Sequence, residues 1–564
     1  MKIRLYALIA ALALSGCSLQ TIKQQSAGND SPPIYKQGEF NRESVYELLV
    51  AELAGQKGQF ELAMANYLKQ ARLTRDPNIA ERATRVAQYL RNVGAITEAA
   101  ELWIATDPEN PEPYQISASI LLHQKRYDEA LPLVDRALEY DRPRMLAVIR
   151  SQIPEMSADV STGYLSLFDE MLANNPNQTD LLVTQGLLHK QQGNVDTALA
   201  VFEKALKANR NNVDAVAQKA ELQRLQGEFR KALMTIEPAL KSQPDNQPLL
   251  ILKTQLLFQS GQLKQGVKEA NRILKQNGQD YQLKFYLALL MLENNQTAEA
   301  KELFEELRVQ NENDTRPHFY LGAIAQQDGK IEKAIAHFEK VDDPATTFQA
   351  ISRIATLLDT PEDRERLSLI ISDVRKTRPD LASQLFTLQA EWLNLHDFSD
   401  EALILLEEAI ARFEDDVSLL YTRAMLLEAT DFDRAEVDLR RILDIEPNSS
   451  LALNALGYTL TVHTKRYEEA YQLISRALEM RPDDPAIIDS MGWVLFKLQR
   501  YDEAVEYLLR AYEAIPDGEV ASHLIQAYWA KGDKDKALAL LKQGLNKSPD
   551  NSHLQEAAQA IGAH

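Results

Sequence analysis

A small residue recurs at one fixed interval through the middle of this chain. The interval holds without a break at Ala198, Ala232, Gly266, Ala300 and Ala334, and the same register extends back through Ala130 and Tyr164. With small slips it continues to Leu367, Ala402, Ala435, Ala470, Ala504 and Ala537, and it begins at Ala63 and about Ala99. A fixed period of roughly 34 residues is typical of stacked copies of one supersecondary unit. The 564 residues therefore need not form several globular domains, because a repeat array has no single growing core.

The clearest copy of the unit begins near Ile488. Gly492 lies in the middle of one apolar-periodic segment, Ala504 and Leu508 lie in the next, and Pro516 ends the copy. Small residues let two helices approach closely, a bulky residue fills the gap to the next helix, and proline ends a helix. This order of residues resembles the tetratricopeptide pattern. The predicted fold is all-α, a tetratricopeptide-repeat superhelical solenoid of about 15 helical hairpins.

The regularity of the repeats divides the array into three parts. We predict an N-terminal and central array over 40–345, degenerate repeats over 346–450, and C-terminal repeats over 451–564 that end in a capping helix near His553 to Ile561. The weakest repeats lie near Met145 to Tyr164 and Ala345 to Leu367, where Asp and Pro interrupt the pattern. They are either looser joints or drifted copies in which the packing is preserved.

The N-terminal segment, as far as Glu39, does not follow the repeat. Lys2 and Arg4 precede a short apolar run from Leu5 to Leu14, as in a secretory signal peptide. The string LSGC, ending at Cys17, resembles the lipobox of bacterial lipoproteins, which implies a signal peptide over 1–16 and lipidation of Cys17. In that family the next residue directs sorting, and Ser18 implies an outer-membrane protein that faces the periplasm. Residues 17–39 are polar and contain Gly and Pro, so we expect a lipidated flexible tether.

Composition excludes several classes of function. The formal net charge is −20 and no basic cluster is present, so we do not expect a nucleic-acid partner. Cys17 is the only cysteine, which excludes internal disulfides and a cysteine-ligated zinc site. The apolar share of 45% is sufficient for a folded chain.

Catalytic and metal-binding motifs are not found in the sequence. There is no phosphate-binding Gly-rich loop, GxSxG elbow or HExxH helix. His318 and His337 fall on the two helices of one hairpin, but a metal site needs a third ligand. We therefore predict no catalytic residues, no metal and no cofactor, and we expect that the protein is not an enzyme.

Certain first-helix positions line the concave face in tetratricopeptide arrays, and we call the corresponding residues here the predicted groove. In the C-terminal repeats they are Asn454, Tyr458, Asp489, Trp493, Phe496, Lys497, Ser522, Gln526 and Trp529. In the middle of the array they are Phe258, Phe285, Leu289 and Phe319. Aromatic side chains beside polar groups suit a protein-binding surface, although an aromatic residue at helical spacing also suits a core. Lysine is missing from the positions that clamp a terminal carboxylate in some arrays, so we do not expect a carboxylate clamp.

Three C-terminal strings carry a closer resemblance. They are NALGYTL from Asn454, DPAIIDSMGWV from Asp484 and EVASHL from Glu519. Together with the lipobox, they resemble a family of tetratricopeptide outer-membrane lipoproteins of Gram-negative bacteria. One member is the adaptor of a periplasmic carboxy-terminal processing protease, which implies a scaffold that brings such a protease together with substrates such as cell-wall hydrolases.

The resemblance leaves an alternative open. Lipid-anchored arrays also act as assembly factors or pilots for polysaccharide, pilus or secretion machines. Either role implies periplasmic protein partners and membrane contact through the lipid anchor only. Self-association of the array is also left open.

Overall fold

The computed structural model of the protein describes residues 38–563, which contain 31 α-helices and no strand. The predicted all-α architecture of about 15 helical hairpins is confirmed, since the first 30 helices follow one another as 15 consecutive pairs and one helix remains at the end. The contacts divide the chain into two compact units, Met1–Gln276 and Asn277–His564. The predicted boundaries at 345 and 450 were drawn from the regularity of the repeats. The division into two compact units does not test them, so they stay predictions.

The first unit holds seven helix pairs. A 3-10 turn, Ile153–Glu155, interrupts the fourth pair. The helices are α1 (Arg42–Gln56), α2 (Phe60–Thr74), α3 (Pro77–Tyr89), α4 (Val93–Thr106), α5 (Pro111–His123), α6 (Tyr127–Tyr140), α7 (Arg142–Gln152), α8 (Ala158–Asn174), α9 (Thr179–Gln191), α10 (Val195–Ala208), α11 (Val213–Leu225), α12 (Phe229–Ser242), α13 (Gln247–Gln259) and α14 (Leu263–Gln276).

The second unit holds eight pairs and the final helix. Its irregular part contains two 3-10 turns, Pro361–Asp363 and Pro379–Leu381. The helices are α15 (Tyr281–Glu293), α16 (Thr297–Gln310), α17 (Arg316–Gln327), α18 (Ile331–Phe338), α19 (Thr347–Leu357), α20 (Arg364–Thr377), α21 (Ala382–Leu395), α22 (Ser399–Arg412), α23 (Val417–Leu427), α24 (Phe432–Ile445), α25 (Ser450–His463), α26 (Tyr467–Met480), α27 (Pro485–Lys497), α28 (Tyr501–Ala514), α29 (Gly518–Lys531), α30 (Lys534–Lys547) and α31 (Ser552–Ala560).

Asparagine or aspartate caps the N-terminus of the first helix in many of the hairpins. Asn212, Asn246 and Asp280 lie one repeat period apart, and the side chain of each accepts a hydrogen bond from the backbone N–H three residues later, at 2.8, 3.2 and 3.0 Å. These bonds satisfy N–H groups that have no partner within the helix. The caps therefore repeat with the same period as the helices.

The turn inside most of the hairpins contains a residue with left-handed backbone angles. Gly193, Gly227, Gly261 and Gly329 have φ between 70° and 77°, and Asn295 holds the same position with φ 58°. Along the chain, these five positions again follow one another at the repeat period. Glycine carries no Cβ penalty in this conformation, and asparagine tolerates it better than most residues. The turn position thus supplies a second periodic signal.

Glycines in the first helices allow the close approach that the sequence analysis inferred. A Cβ atom built on Gly492 would lie 2.5 Å from Leu508 Cγ of the following helix, and one on Gly457 would lie 2.5 Å from Ile474 Cγ1. In the first unit, a Cβ atom built on Gly186 would lie 2.5 Å from Cε1 of the Phe202 ring. Each of these hairpins thus closes over a bulky side chain of its own second helix.

The last helix, α31, packs on the final hairpin. Leu554 and Ala557 are buried, and the Leu554 side chain lies over Gly544. The substantial helix contacts in each unit join helices that are adjacent or next-adjacent in sequence. The core is consequently a row of interfaces between neighbours.

The region before α1 is described only from residue 38. The predicted signal peptide over 1–16, the lipidation site Cys17 and most of the tether over 17–39 lie outside the described residues. The backbone N–H groups of Gly38 and Glu39 donate to the carbonyl oxygens of Thr74 and Leu73 at 2.8 and 3.1 Å. The last two residues of the predicted tether are thus attached to the end of α2.

Candidate functional site

A cavity of about 350 Å³ lies among the first helices of the C-terminal hairpins. Side chains from α23, α25 and α27, and from the start of α29, form its walls. Three members of the predicted groove, Asn454, Tyr458 and Asp489, line it. The remaining lining residues are Tyr421, Met425, Glu428, Ala455, Thr459, Pro485, Ala486, Ser490, Ile515, Asp517, Glu519 and Val520.

A buried carboxylate and imidazole join two of these helices. His523 Nδ1 lies 3.1 and 3.0 Å from the two carboxylate oxygens of Asp489, and the side chains of both residues are more than nine-tenths buried. A carboxylate at this distance fixes the ring and favours a proton on Nδ1. The pair therefore holds α27 and α29 in register.

An aromatic stack extends from this pair along α27. The ring of Trp493 lies 4.0 Å from the ring of His523, with an angle of 18° between them, and 4.8 Å from the parallel ring of Phe496. Lys497 Nζ lies 4.4 Å from the centre of the Trp493 ring, a cation–π geometry. Burial lowers the pKa of Lys497. Trp493 is itself buried, while Phe496 and Lys497 are half-buried.

Tyr458 links α25 to α29. Its hydroxyl donates a hydrogen bond of 2.5 Å to Glu519 Oε1. Burial, followed by this contact with a carboxylate, raises the pKa of Tyr458. The tyrosine therefore stays neutral and acts as a donor. Nearby, the buried side-chain oxygen of Asn454 has no hydrogen-bond partner among the described residues.

The other predicted residues on α29 lie outside the cavity lining. Ser522 is buried, and its hydroxyl oxygen accepts a hydrogen bond of 3.3 Å from Gln526 Nε2. Trp529 is half-buried, and Lys534 Nζ lies 4.8 Å from the centre of its ring. Their role as partner contacts stays a prediction.

The predicted groove residues in the middle of the array are mostly packed. Phe258 is 2% exposed because its ring fills the space over Gly266, so it is a core residue of its own hairpin. Phe285 and Phe319 are 7% and 8% exposed, and Leu289 is half-buried. The guanidinium carbon of Arg316 lies 4.6 Å from the centre of the Phe285 ring. Of these four residues, Leu289 is therefore the most accessible to a partner.

Two histidines meet in one hairpin of the second unit. His318 Nδ1 on α17 and His337 Nδ1 on α18 are 3.0 Å apart, so one nitrogen donates a proton and the other accepts it. Burial lowers the pKa of both rings, and for His337 the neighbouring His318 adds to the effect, which lowers its pKa to about 4. Within 38–563, no group of three or more His, Cys, Asp or Glu side chains is arranged to hold a metal ion.

His523 and Glu519 are site residues that were not predicted from the sequence. Ser522 was predicted to lie in the groove, whereas its neighbour His523 is the residue that contacts Asp489. His523 lies one full repeat period after Asp489, and that spacing could have found it. Glu519 contacts Tyr458 across two hairpins, and no local pattern marks that pair.

Family models and a curated relative match this architecture. Tetratricopeptide-repeat models match residues 189–256, 426–494 and 495–561, and a second such model matches 287–347. The TPR repeat-containing protein PA4667 of Pseudomonas aeruginosa is 39% identical over 493 residues, which cover 87% of this chain and 83% of that protein. The chain belongs to the tetratricopeptide-repeat family.

More distant relatives share the repeat over part of their length. The tetratricopeptide repeat-containing protein trd-1 of Caenorhabditis elegans is 25% identical over 252 residues, 38% of this chain and 31% of that protein. Among solved structures, a Naa15/Naa10 complex bound to HypK-THB matches with a TM-score of 0.37 and 14% identity over 86% of this chain and 73% of that one. The Cut9 and Hcn1 hetero-tetramer matches with a TM-score of 0.34 and 14% identity over 92% and 96%.

Tetratricopeptide repeats imply a protein-binding scaffold. The matched families do not indicate a catalytic one. None of the described helices combines the length and the apolar character needed to cross a bilayer.

Proposed function

We propose that this tetratricopeptide-repeat protein is a lipid-anchored periplasmic adaptor that brings a carboxy-terminal processing protease together with substrates such as cell-wall hydrolases. The cavity and aromatic stack shared by α25, α27 and α29 are the observation that carries the proposal. Tyr and Trp are enriched among the residues that dominate binding energy in protein interfaces. Here Tyr458 and Trp493 are held by Glu519 and His523, so they are positioned before a partner arrives.

The scaffold role follows from what such a surface can do. A repeat array offers long surfaces on which two proteins can bind at separate places. Binding both raises the concentration of one near the other without any chemical step by the scaffold. The protease and hydrolase identities rest on the resemblance carried by Asn454–Leu460, Asp484–Val494 and Glu519–Leu524.

The location rests on the N-terminal sequence. Lys2 and Arg4, the apolar run and the LSGC string at Cys17 support export and lipidation, and Ser18 supports sorting to the outer membrane. A multiply acylated cysteine would be a durable anchor, unlike a single acyl chain. The variant Cys17→Ser is expected to remove the protein from the outer-membrane fraction of fractionated cells, because the anchor is no longer attached.

Photo-crosslinking in intact cells tests the adaptor role. A photoreactive amino acid replaces Phe496, which is half-buried beside the stack, and Glu513, which is exposed on α28, serves as the matched control position. We expect mass spectrometry to identify a periplasmic processing protease or a cell-wall hydrolase from position 496 and not from 513. Recovery of an outer-membrane export pore instead would replace this proposal with an assembly-factor role.

A further inference from the structure

The cavity beside Asp489 has a chemistry that selects its occupant. We propose that it binds an arginine side chain of a partner polypeptide. The inference rests on the proposed function as a protein-binding scaffold, and it names the group that the site recognises.

The lining of the cavity is acidic. Four carboxylates line the cavity, from Glu428, Asp489, Asp517 and Glu519, and no lysine, arginine or histidine among the described residues is part of the lining. Opposite charges attract most strongly where protein walls displace water. The cavity therefore favours a cation and repels an acidic group.

The four carboxylates differ in their partners. Imidazoles contact two of them, since His463 Nε2 lies 2.6 Å from Glu428 Oε1 and His523 contacts Asp489. The other two are held by neutral donors. Glu519 accepts from the Tyr458 hydroxyl at 2.5 Å, and Asp517 accepts from the backbone N–H of Val520 at 2.9 Å. Neutral donors fix these two carboxylates without cancelling their charge, so Glu519 and Asp517 form the cationic end of the site.

The walls favour a long side chain with a flat, multiply donating head. Met425, Pro485, Ile515 and Val520 offer apolar surface for a methylene stem. Tyr421 and Tyr458 also line the cavity, and a guanidinium stacks readily on aromatic rings. A volume of about 350 Å³ lies near the lower end of ligand sites, which suits one side chain with its flanking backbone.

The acceptor count also favours arginine over lysine. Beyond the carboxylates, Asn454 lines the cavity, and its buried amide oxygen has no donor among the described residues. A guanidinium has five N–H groups in a rigid plane, whereas an ammonium has three on a compact head. Arginine can therefore serve several fixed acceptors at once.

Calorimetry on the full-length protein in detergent tests the proposal with three small probes. They are N-acetyl-L-arginine amide, the same derivative of citrulline, which has nearly the same shape without the charge, and the same derivative of lysine. We expect the arginine probe to bind about tenfold or more tightly than the citrulline probe, as for hydrogen bonds to charged groups. Equal binding of arginine and citrulline, or tighter binding of lysine, would overturn the proposal.

Two conservative substitutions locate the binding. Glu519→Gln keeps an acceptor for the Tyr458 hydroxyl, and Asp517→Asn keeps a good helix cap, so both remove charge with little change in structure. We expect the double variant to lose about tenfold in arginine affinity, with the citrulline affinity unchanged. The control Glu513→Gln removes an exposed charge outside the lining and is expected to bind arginine normally. If the double variant fails to fold, Glu519→Gln alone gives the same comparison, and undiminished arginine binding in either case refutes the site.

The two proposals fail in different ways. If arginine does not bind while crosslinking at position 496 still captures a protease or hydrolase, the occupant is wrong and the scaffold role stands. If arginine binds as described while no such partner is captured, the adaptor role is wrong and the cavity assignment stands.

Discussion

At the scale of single residues, a glycine in place of an alanine allows two helices to pack more closely. A Cβ atom on Gly492 would lie 2.5 Å from Leu508 Cγ and 3.1 Å from the Leu508 backbone nitrogen. The backbone cannot rotate away as a side chain could, so the two helices would have to separate. Gly55, in α1, has nothing within 4 Å of the same built atom.

These two glycines form a matched pair for a stability measurement. Gly492→Ala is expected to destabilise the C-terminal hairpins by about 1 to 3 kcal/mol, the usual cost of overpacking. Gly55→Ala is expected to be neutral or to stabilise by up to about 1 kcal/mol, because alanine is the better helix former. Amide hydrogen exchange over α27 and α28 measures the first effect, and exchange over α1 measures the second. Equal responses to the two substitutions would contradict the close contact at Gly492.

At the scale of helices, α17 and α18 share a pair of imidazoles that resist protonation. Lys340, Arg308 and Lys333 act against a positive charge there, and Glu305 alone favours one. The folded pKa values lie below the ordinary value of 6.5. The unfolded chain therefore binds protons first as the pH falls below 6.5, and the stability of this hairpin declines progressively towards pH 4.

The variant His337→Gln tests this pH dependence. Glutamine is neutral at every pH and can still hydrogen-bond His318, so the variant is expected to lose less stability than the natural protein between pH 7.5 and 5.5. That range stays above the pI of about 5.1. The difference at pH 5.5 is expected to be about 1 kcal/mol or less, since solvent screens the half-buried pair. His553→Gln, at an exposed position, is the control. Parallel pH profiles of the melting temperature for all three proteins would refute the account.

At the scale of the whole molecule, the constant repeat period makes one hairpin a removable unit. Deleting residues 213–246 takes out α11 and α12 and joins Asn212 to Gln247. Asn212 then stands where Asn246 stood, and both residues cap the helix that follows them. The junction therefore keeps its cap and its register.

We expect the shortened chain to fold with the same helicity per residue. Imperfect packing of α10 on α13 is expected to cost about 1 to 3 kcal/mol. A deletion of 213–229, half the period, removes α11 and leaves α12 without its partner, so we expect loss of helicity and aggregation. Circular dichroism and size-exclusion chromatography distinguish the two. A folded half-period deletion would show that register does not govern the array.

The fold could be predicted from the sequence because each hairpin packs on its neighbours and does so with the same residue pattern. Ala198, Ala232 and Gly266 mark one recurring helix contact, and the left-handed turn at Gly193, Gly227 and Gly261 marks another. The candidate site was harder to predict because it breaks the repeat. Glu519 reaches Tyr458 two hairpins away, and Phe258 turns inward because its neighbour is glycine. Such contacts depend on individual side chains and not on the period.

The restriction of substantial contacts to helices near in sequence also has a mechanical consequence. If the ends of the second unit are pulled apart, few contacts other than those between neighbouring hairpins must break before extension begins. Hairpins would be released one after another from an end, and each would lengthen the chain by about 115 Å when extended. A load between an anchored end and a bound partner would then extend the unit in a series of small steps, one hairpin at a time.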